Sequence, residues 1–189
     1  MTNGMKIARQ LIAEEREKQT GFLDLGNLGL TELPEELFGL TELRGLNLGP
    51  PDMGEDYNFL ETYYLAPNAL KAIPASFSAL RSLEVLVLRG NPIGDLRGLE
   101  ELIKLQSLDC FGTALGELHN LPPLPALENL DLGTTLISDL SPIVGRNNLK
   151  TLSLFKTRVT ELSPLRSLIV LQQLDSAQPK LAISARSKA

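Results

Sequence analysis

The sequence predicts an α/β fold. It is a right-handed solenoid with a curved parallel β-sheet on its concave face, short 3₁₀ or irregular segments on its convex face, and an N-terminal capping helix. Three observations carry that expectation. Residues 127–144, LENLDLGTTLISDLSPIV, place apolar side chains at Leu127, Leu130, Leu132, Ile137, Leu140 and Ile143, and the same spacing recurs 22 residues earlier and 22 residues later. A constant step of this size marks an array of stacked coils. The chain is 43% hydrophobic but only 5% aromatic, so its core must be built from aliphatic rungs. Prolines stand within the segments between the predicted strands, at Pro34, Pro142 and Pro164, where they prevent a long regular helix.

The first element is a helix over residues 5–19, capped by Thr2 or Asn3. Ile7, Ala8, Leu11 and Ile12 share one face, with Arg9, Glu14, Arg16, Glu17 and Lys18 opposite. The first coil of a solenoid has no preceding neighbour, so its apolar edge needs a cover. A membrane-surface role is disfavoured by the carboxylates of Glu14 and Glu17 on the polar face. The first coil spans residues 20–42, with Leu23, Leu25, Leu28, Leu30, Leu33, Leu37 and Leu40 inward; Leu28 stands where asparagine is usual. The second coil starts at Leu43, with Leu46 and Leu48. The frame then breaks and resumes at Asn68, Leu70 and Ile73.

The next coil starts at Leu83, 40 residues after Leu43, so about 17 extra residues sit within positions 49–66. A separate coil beginning at Leu60, Tyr63 and Leu65 is the other parse, but it leaves only 17 residues for positions 43–59, short of the usual repeat length. An inserted loop is preferred. From Leu83 the starts fall every 22 residues, at Leu105, Leu127, Leu149 and Leu171. The ninth position holds Asn91, Thr113, Thr135, Thr157 and then Pro179. The last coil carries polar Gln172, Gln173 and Ser176, which suits either a self-capping end or an open one where a partner docks. The expected division is a capping helix at 1–19, a repeat domain at 20–181 and a flexible tail at 182–189.

Strand alternation turns positions one, four and six of each coil inward. The Asn or Thr at position nine also turns inward, to bond backbone groups left unpaired where the chain leaves the sheet. A buried leucine contributes about 1.5–3 kcal/mol. One coil cannot offset an ordering entropy of about 1–2 kcal/mol per residue. Stacking is therefore what makes the array stable.

These motifs resemble leucine-rich repeats. GFLDLGNLGLTELPEELFGLTEL is similar to the N-terminal LxxLP repeats of bacterial Roco-type proteins. SLDCFGTALGEL, NLDLGTTLISDLSPI and SLFKTRVTELSPL resemble the 22-residue internalin-like bacterial class. The resemblance covers about residues 20–181 and implies the solenoid fold. It implies little about function, because such repeats serve many partners. Roco proteins add a GTPase domain, but no GxxxxGK[ST] loop occurs here.

Composition narrows the function. Net charge is −5 and the 18 basic residues are scattered, which argues against a nucleic-acid partner. No apolar run approaches a membrane span. The N-terminal stretch does not resemble a signal peptide, and the lone cysteine suits a reducing compartment. A soluble cytoplasmic protein with no membrane partner is expected. Cys110 occupies an inward leucine slot and lacks a neighbouring base. His119 is the single histidine and cannot by itself make a metal cluster. No catalytic residue, cofactor or metal is expected.

Two surfaces are candidates for contact with a protein partner. The inserted segment holds Tyr57, Phe59, Tyr63 and Tyr64, four of the chain's nine aromatics. Tyrosines pair an apolar body with a polar tip and make efficient contact residues, although the same rings could instead fold back over the coil beneath. The second surface is the concave face, where outward positions two, three, five and seven include Arg44, Asn47, Val87, Arg89, Asp109, Phe111, Asp131, Ser153 and Phe155. Aromatic, arginine and acidic side chains in rows suit a protein interface. The expectation is a non-enzymatic bacterial interaction module, monomeric or weakly dimeric through an open C-terminal coil. The alternative is a regulatory subunit of a GTPase or signalling system, or an effector aimed at a host protein.

Overall fold

The structure is a computed structural model and describes residues 2–50 and 67–176. It opens with helix α1, Asn3–Lys18. Seven three-residue strands follow: β1 Phe22–Asp24, β2 Gly45–Asn47, β3 Val85–Val87, β4 Ser107–Asp109, β5 Asn129–Asp131, β6 Thr151–Ser153 and β7 Gln173–Asp175. They form one parallel sheet in sequence order. The register is constant: Leu23, Leu46, Leu86, Leu108, Leu130, Leu152 and Leu174 lie side by side. This is the leucine-rich-repeat solenoid that the periodicity predicts.

The rungs at position four are buried from Leu23 through Leu152, and so are those at position six, Leu25, Leu48, Leu88, Cys110, Leu132 and Leu154. The convex side carries 3₁₀ turns at Glu35–Gly39, Ala75–Ala79, Ser141–Ile143 and Ser163–Ser167. Each has a proline at or beside its first residue, which sets the backbone for a tight turn and denies a longer helix its hydrogen bonds.

Helix α1 begins two residues before the sequence suggests. The Met5 N–H donates to Thr2 Oγ1 at 3.3 Å, so Thr2 is the N-cap. Its packed face is centred on Ala8, Ile12 and Glu15; Leu11 packs at the margin, and Ile7, expected on that face, is 38% exposed. Glu15 is buried because it closes the junction with the sheet. It accepts from Thr20 Oγ1 at 2.5 Å and from the Gly21 N–H at 2.7 Å.

β2 pairs directly with β3, although their leucines are 40 residues apart in the chain. The break starts at a definite point. At position eight the regular coils turn through a left-handed residue: Asn27 (φ 54°), Gly90 (70°), Gly112 (66°), Thr134 (57°) and Lys156 (53°). The second coil has Pro50 there, whose ring holds φ near −65° and forbids that turn. The chain returns to the frame at Asn68, which is buried in the ninth-position slot.

Asn68 also supplies what Leu28 lacks. Its Oδ1 accepts from the Leu28 and Leu30 N–H groups of the first coil, and its Nδ2 donates to the carbonyls of Leu25 and Leu48.

Candidate interaction surface

The concave face follows from the strand alternation. Position four points into the core, so positions three and five point out, and position seven lies where the chain starts to bend off the sheet. The third-position row reads Phe22, Gly45, Val85, Ser107, Asn129, Thr151 and Gln173. The fifth-position row reads Asp24, Asn47, Val87, Asp109, Asp131, Ser153 and Asp175 in the same registers.

The acidic and amide members of the fifth row also shape the turn. Asp24 Oδ1 accepts from the Gly26 N–H, Asn47 Oδ1 from Gly49, Asp109 Oδ1 from Phe111 and Asp131 Oδ1 from Gly133, at 2.8–2.9 Å. Each bond satisfies an N–H just after the strand ends. The sequence marks Asn47, Asp109 and Asp131 as contacts; their part in closing the turn is legible only from the bent backbone.

Arg89 is the hub of the face. Its Nε donates to Asp109 Oδ2 at 2.8 Å, and another guanidinium nitrogen lies 3.7 Å from Asp131 Oδ2. The guanidinium also stacks on the Phe111 ring, 4.7 Å from its centroid. The same ring covers Gly133: a Cβ there would lie 2.8 Å from Phe111 Cδ2. Burial pushes the Asp131 carboxyl up from its ordinary range, and the nearby charge of Asp109 adds to that. Phe155 is half-buried two coils along, with Lys156 Nζ 5.0 Å from its ring centroid.

The expected concave residues are thus brought together, apart from Arg44. Arg44 is exposed at the entrance to β2, where its side chain lies against Gly21. Tyr57, Phe59, Tyr63 and Tyr64 lie outside the described residues. The structure adds Phe22, which stands 55% exposed over Gly45; a Cβ on that glycine would meet the ring at 2.5 Å. The signal was present in the sequence, since Phe22 occupies the third position of the first coil.

Cys110 is completely buried, and burial pushes its thiol well above the ordinary range. His119 pairs with Glu117 at 2.7 Å on the exposed convex side. Among the described residues no cluster of three or more His, Cys, Asp or Glu side chains is arranged to hold a metal. Among the same residues no helix is long and apolar enough to cross a membrane.

This arrangement defines a leucine-rich-repeat protein by fold. An internalin (inlF) from Listeria monocytogenes superposes with a TM-score of 0.63 at 23% identity, over 88% of this chain and 53% of that one. The internalin C2 (inlC2) of the same organism gives 0.58 at 21% identity, over 94% and 88%. TLR13, from a TLR13–ssRNA13 complex, gives 0.63 at 20% identity, over 82% and 21%. The chain therefore spans about half of the first internalin and about a fifth of TLR13. No family model matches the sequence, and no curated protein matches it.

Proposed function

We propose that this chain is a non-enzymatic interaction module that binds a protein partner through the concave face of its sheet. The aromatic segment within residues 49–66 is the second proposed contact. The observation that carries the reading is the contrast between the two sides of each strand. The inward side is a continuous apolar wall, whereas the outward side presents Phe22, Val85, Arg89, Phe111 and Phe155 among acidic and amide groups on a rigid support. Rigid aromatic and arginine groups lose little freedom on binding, which is why they dominate protein interfaces.

The buried, weakly acidic thiol of Cys110 is a poor nucleophile, in keeping with recognition without bond chemistry. An RNA ligand like that of the TLR13 complex is disfavoured by the acidic row of Asp24, Asp109, Asp131 and Asp175, which would face phosphate. The proposed setting is a bacterial cytoplasm, where a lone thiol stays reduced.

Quantitative affinity capture tests the reading. Proteins bound by the native chain should fall about tenfold with Val85→Glu, Ser153→Arg or Phe155→Ala, a loss typical of a central contact. Capture that is unchanged in all three variants would overturn it.

A further inference from the structure

The concave face changes character along its length. The N-terminal part of its third-position row is apolar: Phe22 is 55% exposed and Val85 39% exposed, with Gly45 between them. Contiguous exposed apolar surface, rather than an isolated exposed side chain, is what marks a contact site, and the bare Gly45 leaves Phe22 and Val85 as one continuous apolar notch.

Its C-terminal part is a polar recess of about 260 Å³, whose lining includes Asn129, Asp131, Thr151, Ser153, Gln173 and Asp175. Ligand pockets usually measure about 300–1,000 Å³ and enclose their ligand. This open recess is smaller, the size of a single long side chain. Its charge is unbalanced. Arg89 sits 2.8 Å from Asp109 but 3.7 Å from Asp131, so two carboxylates share one guanidinium. Asp131 also stands half-buried at the floor, where a desolvated carboxylate gains most from a further cation.

We propose that the face receives a basic segment of the partner protein, with an apolar side chain on Phe22–Gly45–Val85 and a lysine or arginine in the recess at Asp131. The inference rests on the concave-face reading above and specifies the partner's chemistry. Strands lie about 4.8 Å apart, so β3 and the recess around β5 and β6 are separated by roughly 10–14 Å. An extended peptide covers that distance in about three or four residues. The partner motif is therefore an apolar residue followed or preceded at that interval by a cation. A free polyamine would satisfy the recess but leave the apolar notch unused.

The test is a random dodecapeptide library displayed on phage and selected on the whole chain. Enriched sequences should carry Lys or Arg three or four residues from Leu, Ile or Phe. A synthetic copy should bind about tenfold more weakly to Asp131→Asn and to Val85→Ser, the usual scale for a central contact. Replacing its apolar residue with Ser should weaken it similarly, and its affinity should fall with added salt. Asn keeps the oxygen that accepts from Gly133, so Asp131→Asn should melt like the native chain.

Three results overturn the inference: uncharged or acidic sequences are enriched, nothing is enriched, or Asp131→Asn binds as tightly as the native chain. Uncharged peptides that still lose affinity on Val85→Ser would sink the basic-segment inference and leave the concave face as the site. Peptides indifferent to Val85→Ser, Asp131→Asn and Ser153→Arg would count against both.

Discussion

The N-terminal and C-terminal coils fill the same ninth-position slot with different chemistry. Asn68 and Asn91 each have an acceptor and a donor group, and both reach across coils. Asn68 bonds Leu28, Leu30 and Leu25 of the coil before and Leu48 of its own, and Asn91 bonds Leu70 and Leu48 of the coil before and Leu88 of its own. Thr113, Thr135 and Thr157 have one hydroxyl proton to give, and each donates it to the carbonyl three residues back in its own coil.

An amide joins two coils, whereas a hydroxyl closes one. The threonine coils are joined by other bonds, of which the backbone one also occurs beside Asn68, where the Ala69 N–H donates to Leu30 O at 2.7 Å. Their backbones pair across coils through Leu136 N–H to Leu115 O and Arg158 N–H to Ile137 O, at 2.9 Å. On the convex side, Arg146 donates to the carbonyls of Leu121, Pro123 and Pro142, and Asn148 to Pro125.

The contrast can be broken by substitution. Asn68→Ala should be the costliest change, because it strips the Leu28 and Leu30 N–H groups and the Leu25 carbonyl of their partner in the core, while the Leu48 carbonyl keeps Asn91. About 3–5 kcal/mol is expected, read from urea denaturation. Thr135→Val, which removes one hydroxyl at nearly constant shape, should cost about 1 kcal/mol. Equal costs at the two sites would erase the distinction between joining and closing.

Arg146→Ala comes between these in kind, because it removes a cross-coil link made by a half-exposed cation. A loss of about 1–2 kcal/mol is expected, with faster amide exchange concentrated around residues 119–126. A loss spread evenly over the array would mean that Arg146 is not a local tie.

The smallest effect should be a gain. Thr134 and Lys156 are non-glycine residues in the left-handed region, at φ 57° and 53°. Glycine there should raise stability by about 0.5 kcal/mol, since relief of the backbone penalty is partly offset by a freer unfolded chain. Gly112→Ala at the equivalent position should lower the melting temperature instead.

The fold was legible because burial imposes one rule on every coil. A constant step of aliphatic residues fixes strand, register and core together, and even the return to frame at Asn68 shows in the sequence. The helix start and Ile7 were harder, because a marginal helical position is decided by the neighbour that it meets. The candidate face was legible as rows but not as interactions. The sharing of Arg89 by Asp109 and Asp131 and the seating of Phe22 on Gly45 depend on distances between coils that are 22 or 23 residues apart, and the turn bonds of Asp24 and Asp131 depend on how the backbone bends off the strand. The Arg146 tie depends on where prolines leave carbonyls unpaired, which spacing does not reveal.

The direct pairing of β2 with β3 has a consequence for how the chain can vary. Closing a 40-residue link instead of a 23-residue one adds less than about 0.6 kcal/mol of entropy. The departure at Pro50 therefore works as a splice point: sequence can be lengthened, shortened or exchanged there while the strands on either side keep their alignment. New recognition elements could be grafted at that point without redesigning the scaffold.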